Sequence, residues 1–524
     1  MGKKDKKKGA GAAKTAAKTE KKAANKLKKE LAAKGEEEVE SLLAKRTAEA
    51  VEAGLVEEEV AMPSRRSAFS LTPHPDKDQL ILFGGEFFNG SKTTVFNDLY
   101  FYNIKHNRWT CLTTSQAPPP RSGHQAVAVS QGGGQLWVYG GEFTSPTQSQ
   151  FHHFKDLWVF HLAEKRWQKI TAAGGPSPRS GHRMVCARKQ LVVFGGFRDN
   201  GRAYTYFNDV HVFSLQDYTW TQVKPSGTAP CPRSGCQMAA LTEGVVVVSG
   251  GYSRRPLRKD VDQGITHTDM FTLTFEKEVW RWQSVKQGGM IPSARSGLAL
   301  SQPPLGEKVY LFGGVFDQNE DEEELEGQFY NDLYQLDLKK RIWHTVSLAG
   351  RKDGGGEKKK RRRKKEGEDG EEEVEEQMER MTVDAECSGE ENRAGGAELV
   401  SNDGIFMVTV GPAPQTTASV DKKGSEEAFV PSPRMNAGLA VKKGLLYLYG
   451  GMYEVDDRQL TLGDFYCLDL GKLDEWKTLI PPEDESEMEW IESDDEDSED
   501  ESDDEDSEEE SDDDDDEDEG MDTD

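Results

Sequence analysis

Short apolar runs separated by glycine, proline and aspartate fill the middle of the chain, and few are long enough for a helix. Lys155–Leu162 (KDLWVFHL) is typical. Trp158, Phe160 and Leu162 share one side of an extended chain, and Leu157 and Val159 share the other. A period of two marks a strand, and apolar residues on both sides mark a strand covered on both faces. Six times an apolar run ends in a glycine pair: Gly84–Gly85, Gly140–Gly141, Gly195–Gly196, Gly250–Gly251, Gly313–Gly314 and Gly450–Gly451. Successive pairs lie 56, 55, 55, 63 and 137 residues apart.

Each pair sits in a longer frame. An arginine lies 16 to 19 residues upstream: Arg66 or Arg65, then Arg121, Arg179, Arg233, Arg295 and Arg434. Downstream come an aspartate (Asp98, Asp156, Asp209, Asp269, Asp332, Asp464) and then a tryptophan (Trp109, Trp167, Trp220, Trp282, Trp343, Trp476). One order repeated six times in a chain with ten tryptophans is an internal repeat. Each unit reads as four short antiparallel strands, in the second unit RSGHQAVAV, QLWVYGG, KDLWVFHL and RWQKIT. One such sheet cannot bury both faces, whereas six packed radially can. The predicted fold is therefore all-β, a six-bladed β-propeller.

The double glycine, the distal tryptophan and a period of about fifty residues resemble the kelch-repeat family. The glycine pairs suit a turn with positive φ that lets a neighbouring ring approach the backbone. The tryptophans supply buried area between sheets. Each aspartate is expected to accept backbone N–H groups in its turn.

Charge changes the domain picture. The hydrophobic fraction is 35% and the charged fraction 31%, too polar for one compact globule of 524 residues. The net charge of −29 comes from residues 482–524, which hold 30 Asp and Glu and no Lys or Arg; the remaining chain is near neutral. The predicted organisation is a basic, partly helical arm over 1–60, blades 1–5 over 64–348, a mostly disordered charged insertion over 349–428, blade 6 over 429–480, and an acidic disordered tail over 482–524. The arm carries twelve Lys against three acids in residues 1–30. Leu31, Val39, Leu42, Leu43, Val51 and Leu55 follow at partly helical spacing, broken by Gly35 and Gly54, so the reading is a short helix, coiled coil or disorder. Within the insertion, Ile405–Val410 (IFMVTV) reads as an added edge strand, with a degenerate seventh blade as the rival reading. Six scattered cysteines without a CxxC pair suit a reduced intracellular chain. No apolar run approaches a membrane span, and no apolar segment follows the first lysines as a signal peptide requires.

The candidate chemistry is recognition. Arg121, Arg179, Arg233, Arg295 and Arg434 share one repeat position, so radial symmetry puts them on a ring near one mouth of the propeller. In kelch relatives that bind peptides, residues at such loops read carboxylates, as the resemblance implies, and the planar guanidinium suits that task. The alternative is that each arginine braces a neighbouring blade. Arg254, Arg255 and Arg258 in SRRPLRK, with Tyr204 and Tyr206 of the preceding unit, form a second candidate surface for an acidic peptide or RNA phosphates. Lys358, Lys359, Lys360, Arg361, Arg362, Arg363, Lys364 and Lys365 read as a nuclear import signal or a nucleic-acid contact. Ser493, Ser498, Ser502, Ser507 and Ser511 precede acids and resemble acidophilic kinase sites. The acidic tail is a candidate to dock on the basic elements and mask them.

His152 and His153 lack partners at metal-ligand spacing, and GxSxG, HExxH and phosphate-loop strings are absent, so no catalytic residue, metal or cofactor is expected. The sequence reading is a non-enzymatic scaffold that presents a kelch propeller to protein partners, with RNA contact through basic arms, no membrane and an unspecified oligomeric state. The expected location is intracellular, favouring nucleus or nucleolus over cytoplasm, by compositional analogy with nuclear and ribosome-assembly factors. The alternative is a substrate receptor of a cullin-type ubiquitin ligase, since other kelch proteins recruit cullins; no adaptor-binding module is legible before residue 64.

Overall fold

A computed structural model describes residues 37–52, 54–199, 204–258, 261–303, 306–321, 324–349, 428–455 and 458–483. Most of the insertion, with Ile405–Val410, and nearly all of the acidic tail fall outside the described residues. Within them the chain forms a six-bladed β-propeller.

The second blade is the simplest. Gln125–Val129, Gln135–Tyr139, Leu157–His161 and Arg166–Ile170 pair antiparallel in that spatial order. The first strands of neighbouring blades lie side by side along the central channel, and the fourth strands form the rim. Blade 1 is built on Ser70–Pro73, Gln79–Phe83, Leu99–Asn103 and Arg108–Thr113, and it gains a fifth, outermost strand, Val56–Val60. The N-terminal arm is therefore split. Val39–Glu52 forms helix α1, and the chain past Gly54 is a blade strand rather than more helix, because Val60 pairs with Trp109 at the blade edge. α1 settles on blade 2 through Val39 and Leu43 against Phe143 and Phe154. The Gln150 amide grips its start, accepting from Val39 N–H (3.1 Å) and donating to the Glu37 carbonyl (2.9 Å).

Six apolar cores sit between adjacent blades. The third strand of blade 2 shows why the alternation matters. Trp158, Phe160 and Leu162 enter the core shared with blade 1, and Leu157 and Val159 enter the core shared with blade 3. The repeat tryptophans work across these cores. Trp167 lies 5.1 Å from Phe83, Trp220 5.5 Å from Tyr139, Trp282 5.2 Å from Phe194, Trp476 5.9 Å from Phe312 and Trp109 5.8 Å from Tyr449. In every case the partner is the residue before the preceding blade's glycine pair. Such pairs add about 0.5–1.5 kcal/mol each beyond the area they bury. Between blades 4 and 5 that position is Ser249, so Trp343 meets aliphatic residues of blade 4, and its ring contact, with Tyr334 at 6.4 Å, lies within its own blade.

Backbone bonds close the ring. The second glycine of a pair donates to the carbonyl of the next blade's arginine: Gly85 to Arg121, Gly141 to Arg179, Gly196 to Arg233, Gly314 to Arg434, and Gly451 to Arg66 across the closure. Gly141 has φ +92°, and a Cβ there would stand 2.6 Å from the Ser122 carbonyl, so no side chain fits. A second ring runs closer to the channel, through the residue two after each arginine. Gly123 donates to Ala68, Gly181 to Gly123, Gly235 to Gly181, Asn436 to Gly297 and Ala68 to Asn436. All six residues have φ between 52° and 66°. The sixth link, Gly297 to Gly235, is not made, and Gly251 does not reach Arg295. The blade 4–5 seam is held by side chains instead. Gln237 Nε2 donates to the Leu298 carbonyl (3.2 Å), and Gln302 bonds both polar groups of Ala240. Hydrogen exchange should therefore be faster at the amide of Gly297 than at Gly123, Gly181 or Gly235. Equal protection at all four would show that the ring is closed in solution.

Candidate functional site

The five arginines predicted for partner binding are not at a mouth. Arg121, Arg179, Arg233 and Arg434 are completely buried, Arg295 is 4% exposed, and Arg66 holds the same position in blade 1. Each donates through NH1 to its own blade's first glycine carbonyl: Gly84, Gly140, Gly195, Gly250, Gly313 and Gly450, at 3.0–3.3 Å. Each also pairs with the blade's aspartate, as Arg121 does with Asp156 at 2.9 Å and Arg434 with Asp464 at 2.6 Å. An aromatic ring covers most of the planes, with Phe96 4.1 Å from Arg66, Phe154 4.2 Å from Arg121, Phe207 4.0 Å from Arg179 and Tyr330 3.5 Å from Arg295. Every guanidinium nitrogen is hydrogen-bonded inside the frame, so these buried residues brace blades and do not read a partner. The aspartates are corrected with them, because they hold guanidinium rather than turn N–H groups. Burial alone would raise the Asp156 carboxyl, but Arg121 and the Trp158 indole N–H outweigh it and hold the group down to about 2.

What faces outward is a crown. Between the second and third strands every blade extends a hairpin on one side of the ring. They are Glu86–Phe88 with Thr93–Val95, Glu142–Thr144 with Phe151–His153, Phe197–Asp199 with Tyr204–Tyr206, and Val315–Asp321 with Glu324–Phe329. In blades 4 and 6 the second and third strands run on past the glycines as continuous hairpins, Val246–Arg258 with Val261–Glu276 and Leu445–Val455 with Arg458–Asp469. The basic and aromatic candidates meet on this crown. Arg254 lies 5.2 Å from the Tyr204 ring and donates from Nε to the Tyr252 hydroxyl (3.3 Å). Tyr206 stacks on Phe197 at 5.9 Å, and burial pushes its hydroxyl up to about 12. Exposed Arg255 donates to the Gln263 side-chain oxygen from Nε (3.0 Å) and NH2 (2.7 Å). The side chain of Arg258, Lys358–Lys365 and the five tail serines lie outside the described residues.

The crown surrounds the mouth of the channel, where a cavity of about 580 Å³ opens. Five of the six residues that follow a glycine pair line it: Glu86, Glu142, Phe197, Tyr252 and Val315. At this position two blades thus offer carboxyl groups and three offer apolar or aromatic ones. Glu86 accepts from the Ser122 hydroxyl at 2.9 Å, and burial raises it. Burial and the neighbouring Glu86 push Glu142 up to about 8. Asp317 and Glu454 also line the cavity. Of the two arginines there, Arg183 is pinned by the Cys236 and His182 carbonyls, and Arg254 is the one beside Tyr204. Sequence reasoning passed over Glu86 and Glu142, although GGE in two units against an apolar residue in the other four was visible. His153 sits behind Glu142 and His152 lies against Phe154. Among the described residues no cluster of three His, Cys, Asp or Glu side chains could hold a metal ion, and no helix is long and apolar enough to cross a membrane.

Two variants separate frame from surface. Asp464→Ala strands Arg434 in a site without water and should cost about 3–5 kcal/mol in urea unfolding. Asp269→Ala should cost less, because Asp269 is 43% exposed and water can replace it. Equal losses would mean that burial does not govern the bridge. Acid should act through the same pairs. The Asp156 carboxyl lies below its ordinary 3.8, so its contribution is whole above that pH and disappears as pH falls towards 2. The difference in urea midpoint between wild type and Asp156→Asn should shrink over that window. A pH-independent difference would break the assignment.

Comparison with known proteins agrees with this frame. Residues 68–314 match the model of the KLHDC2/KLHL20/DRC7 Kelch-repeats domain, which supports the kelch-repeat family. The chain is 28% identical over 306 residues to the flagellar outer-arm dynein alpha chain of Chlamydomonas reinhardtii, covering 56% of this chain and 6% of that one. It is 30% identical over 244 residues to acyl-CoA-binding domain-containing protein 5 of Arabidopsis thaliana (46% and 34% covered). It is 29% identical over 235 residues to tip elongation aberrant protein 1 of Schizosaccharomyces pombe (44% and 18%). The chain thus spans about a third or less of these relatives' lengths. A solved structure titled "Structure of YjhT" overlaps 80% of this chain and 98% of its own, with TM-score 0.46 and 12% identity.

Proposed function

We propose that this kelch-repeat propeller is a non-enzymatic scaffold that receives protein partners on the hairpin crown around its channel mouth. The observation that supports the reading most is the contrast between frame and crown. The repeat arginines, aspartates and glycines are consumed in holding blades together, while the hairpins that differ from blade to blade rise on one side. Variable loops on a rigid frame are where binding residues concentrate. Tyr204 is 46% exposed, and Phe151, on the blade 2 hairpin, is 44% exposed. Large apolar or amphipathic side chains held on rigid hairpins lose little conformational freedom on binding.

Work in nuclear or ribosome-assembly complexes, residence in nucleus or nucleolus, and RNA contact through the basic arms are parts of the same proposal, supported by the charge of the arms and tail. Within the family, the lysine-rich start, PPPRSGHQAV, the late GGM unit and the Ser-Asp-Glu tail resemble kelch domain-containing protein 4.

The test is site-specific photocrosslinking in cells. A benzophenone side chain placed at Tyr204 or Phe151 should give partner adducts, whereas one at Thr219, on the outer strand of blade 3, should give few. Adducts confined to Thr219 would move the interface to the rim. A cullin among the crown adducts would favour the ligase-receptor reading instead.

A further inference from the structure

The chemistry of the mouth is specific enough to name what enters it. Glu86 and Glu142 stand side by side on blades 1 and 2, and neither forms an ion pair with a lysine or arginine among the described residues. The nearest candidate for compensation is His153, which is 7% exposed. Its Nε2 accepts the Asp199 backbone N–H at 3.0 Å, so the neutral ring carries its proton on Nδ1. That Nδ1–H finds no hydrogen-bond partner. Glu142 Oε2 lies 3.5 Å from Nδ1 without forming a hydrogen bond to it. Burial holds the imidazole neutral, down to about 4, so it contributes no positive charge. Asp317 and Glu454 add carboxylates to the same cavity, against Arg183 and Arg254, which are already engaged. Around the mouth from blade 3 to blade 5 the lining includes Phe197, beside Glu142, and then Tyr252, Val315 and Phe329.

We infer that the channel mouth is a receptor for an arginine or lysine side chain presented by a protein partner, with Glu86 and Glu142 taking the charged head and the Phe197–Tyr252–Val315 wall taking the apolar stem. The two halves of the site match the two halves of such a side chain, whose methylene stem prefers apolar cover while its head needs acceptors. An aromatic wall adds cation–π attraction. A cavity of about 580 Å³ has room for the side chain and the peptide that carries it. The inference deepens the crown reading and depends on it for the partner's approach. It also reverses the sign expected from the sequence, since the mouth nearest blades 1 and 2 suits a basic group and the Tyr204–Arg254 edge suits an acidic one.

Fluorescence polarisation with the full chain tests it, using three labelled peptides, Gly-Ser-Xaa-Ser-Gly, in which Xaa is arginine, lysine or citrulline. Arginine and lysine peptides should bind, and citrulline, which keeps the shape without the charge, should bind roughly tenfold to a hundredfold more weakly. Glu86→Gln with Glu142→Gln should abolish the difference, while Thr219→Ala, on the outer strand of blade 3, should leave it intact. Equal binding of arginine and citrulline peptides to the wild type would overturn the inference whatever the variants do. So would an undiminished preference in the double variant. Crown adducts in the crosslinking experiment would survive either result, so the two readings fail separately.

Discussion

Each blade is a sheet too small to bury its own faces, and every other feature follows from sharing those faces with neighbours. Six cores lie between blades and none lies inside one. A strand therefore needs apolar residues on both sides, as in Leu157–His161, where four consecutive residues are buried. The unit of stability is the interface, and an interface is completed by the tryptophan of one blade meeting the ring before the glycine pair of the preceding one. Stability then accrues as a sum of nearest-neighbour contacts. The last interface, between blades 6 and 1, is as rich as the others: Trp109, Tyr102, Tyr449 and Phe465 cluster there. Ring closure is thus made by side chains and the Gly451–Arg66 bond, while all four core strands of blade 1 come from one continuous stretch.

Most of this was legible because radial repetition makes one constraint appear six times. The strand faces of Lys155–Leu162, the glycine pairs, the tryptophans and the number of blades were all readable from spacing. The role of the arginines was harder. A position that recurs in every blade faces the same internal neighbours in every blade, and Arg121 or Arg434 meets a glycine carbonyl, a carboxylate and an aromatic or tyrosine ring each time. Spacing places such residues on a ring but does not say whether the ring faces water. The pairing of each arginine with the aspartate 30 to 37 positions later was present in the repeat frame, yet nothing local in sequence joins them. The strand Val56–Val60 was hidden for a related reason. VEEEV has little apolar content of its own and becomes a strand only because the outer edge of blade 1 offers unpaired backbone groups.

The departures from symmetry carry the remaining information. Between blades 4 and 5 the aromatic before the glycine pair is replaced by Ser249, the inner bond from Gly297 is lost, and two glutamines bridge the gap. The long hairpin of blade 4 is not what opens the seam, since blade 6 has the same continuous strand and the same register shift and Gly451 still reaches Arg66. The interface then depends on Met270, Leu311 and Trp343 packing without the ring that the preceding blade supplies at the other seams.

The mouth repeats this logic at the level of function. If the residue after the glycine pair were framework, it would be the same in each blade, as the arginines are. It is glutamate in two adjacent blades and phenylalanine, tyrosine, valine and methionine in the other four. Two neighbouring carboxyls left without a lysine or arginine in a partly dehydrated channel are costly to ionise, and burial with the neighbouring Glu86 pushes Glu142 up to about 8. A frame has no use for that cost, since two apolar residues would pack there without it. A site that must attract a charged group does have a use for it, because the binding partner supplies the compensation that the protein withholds.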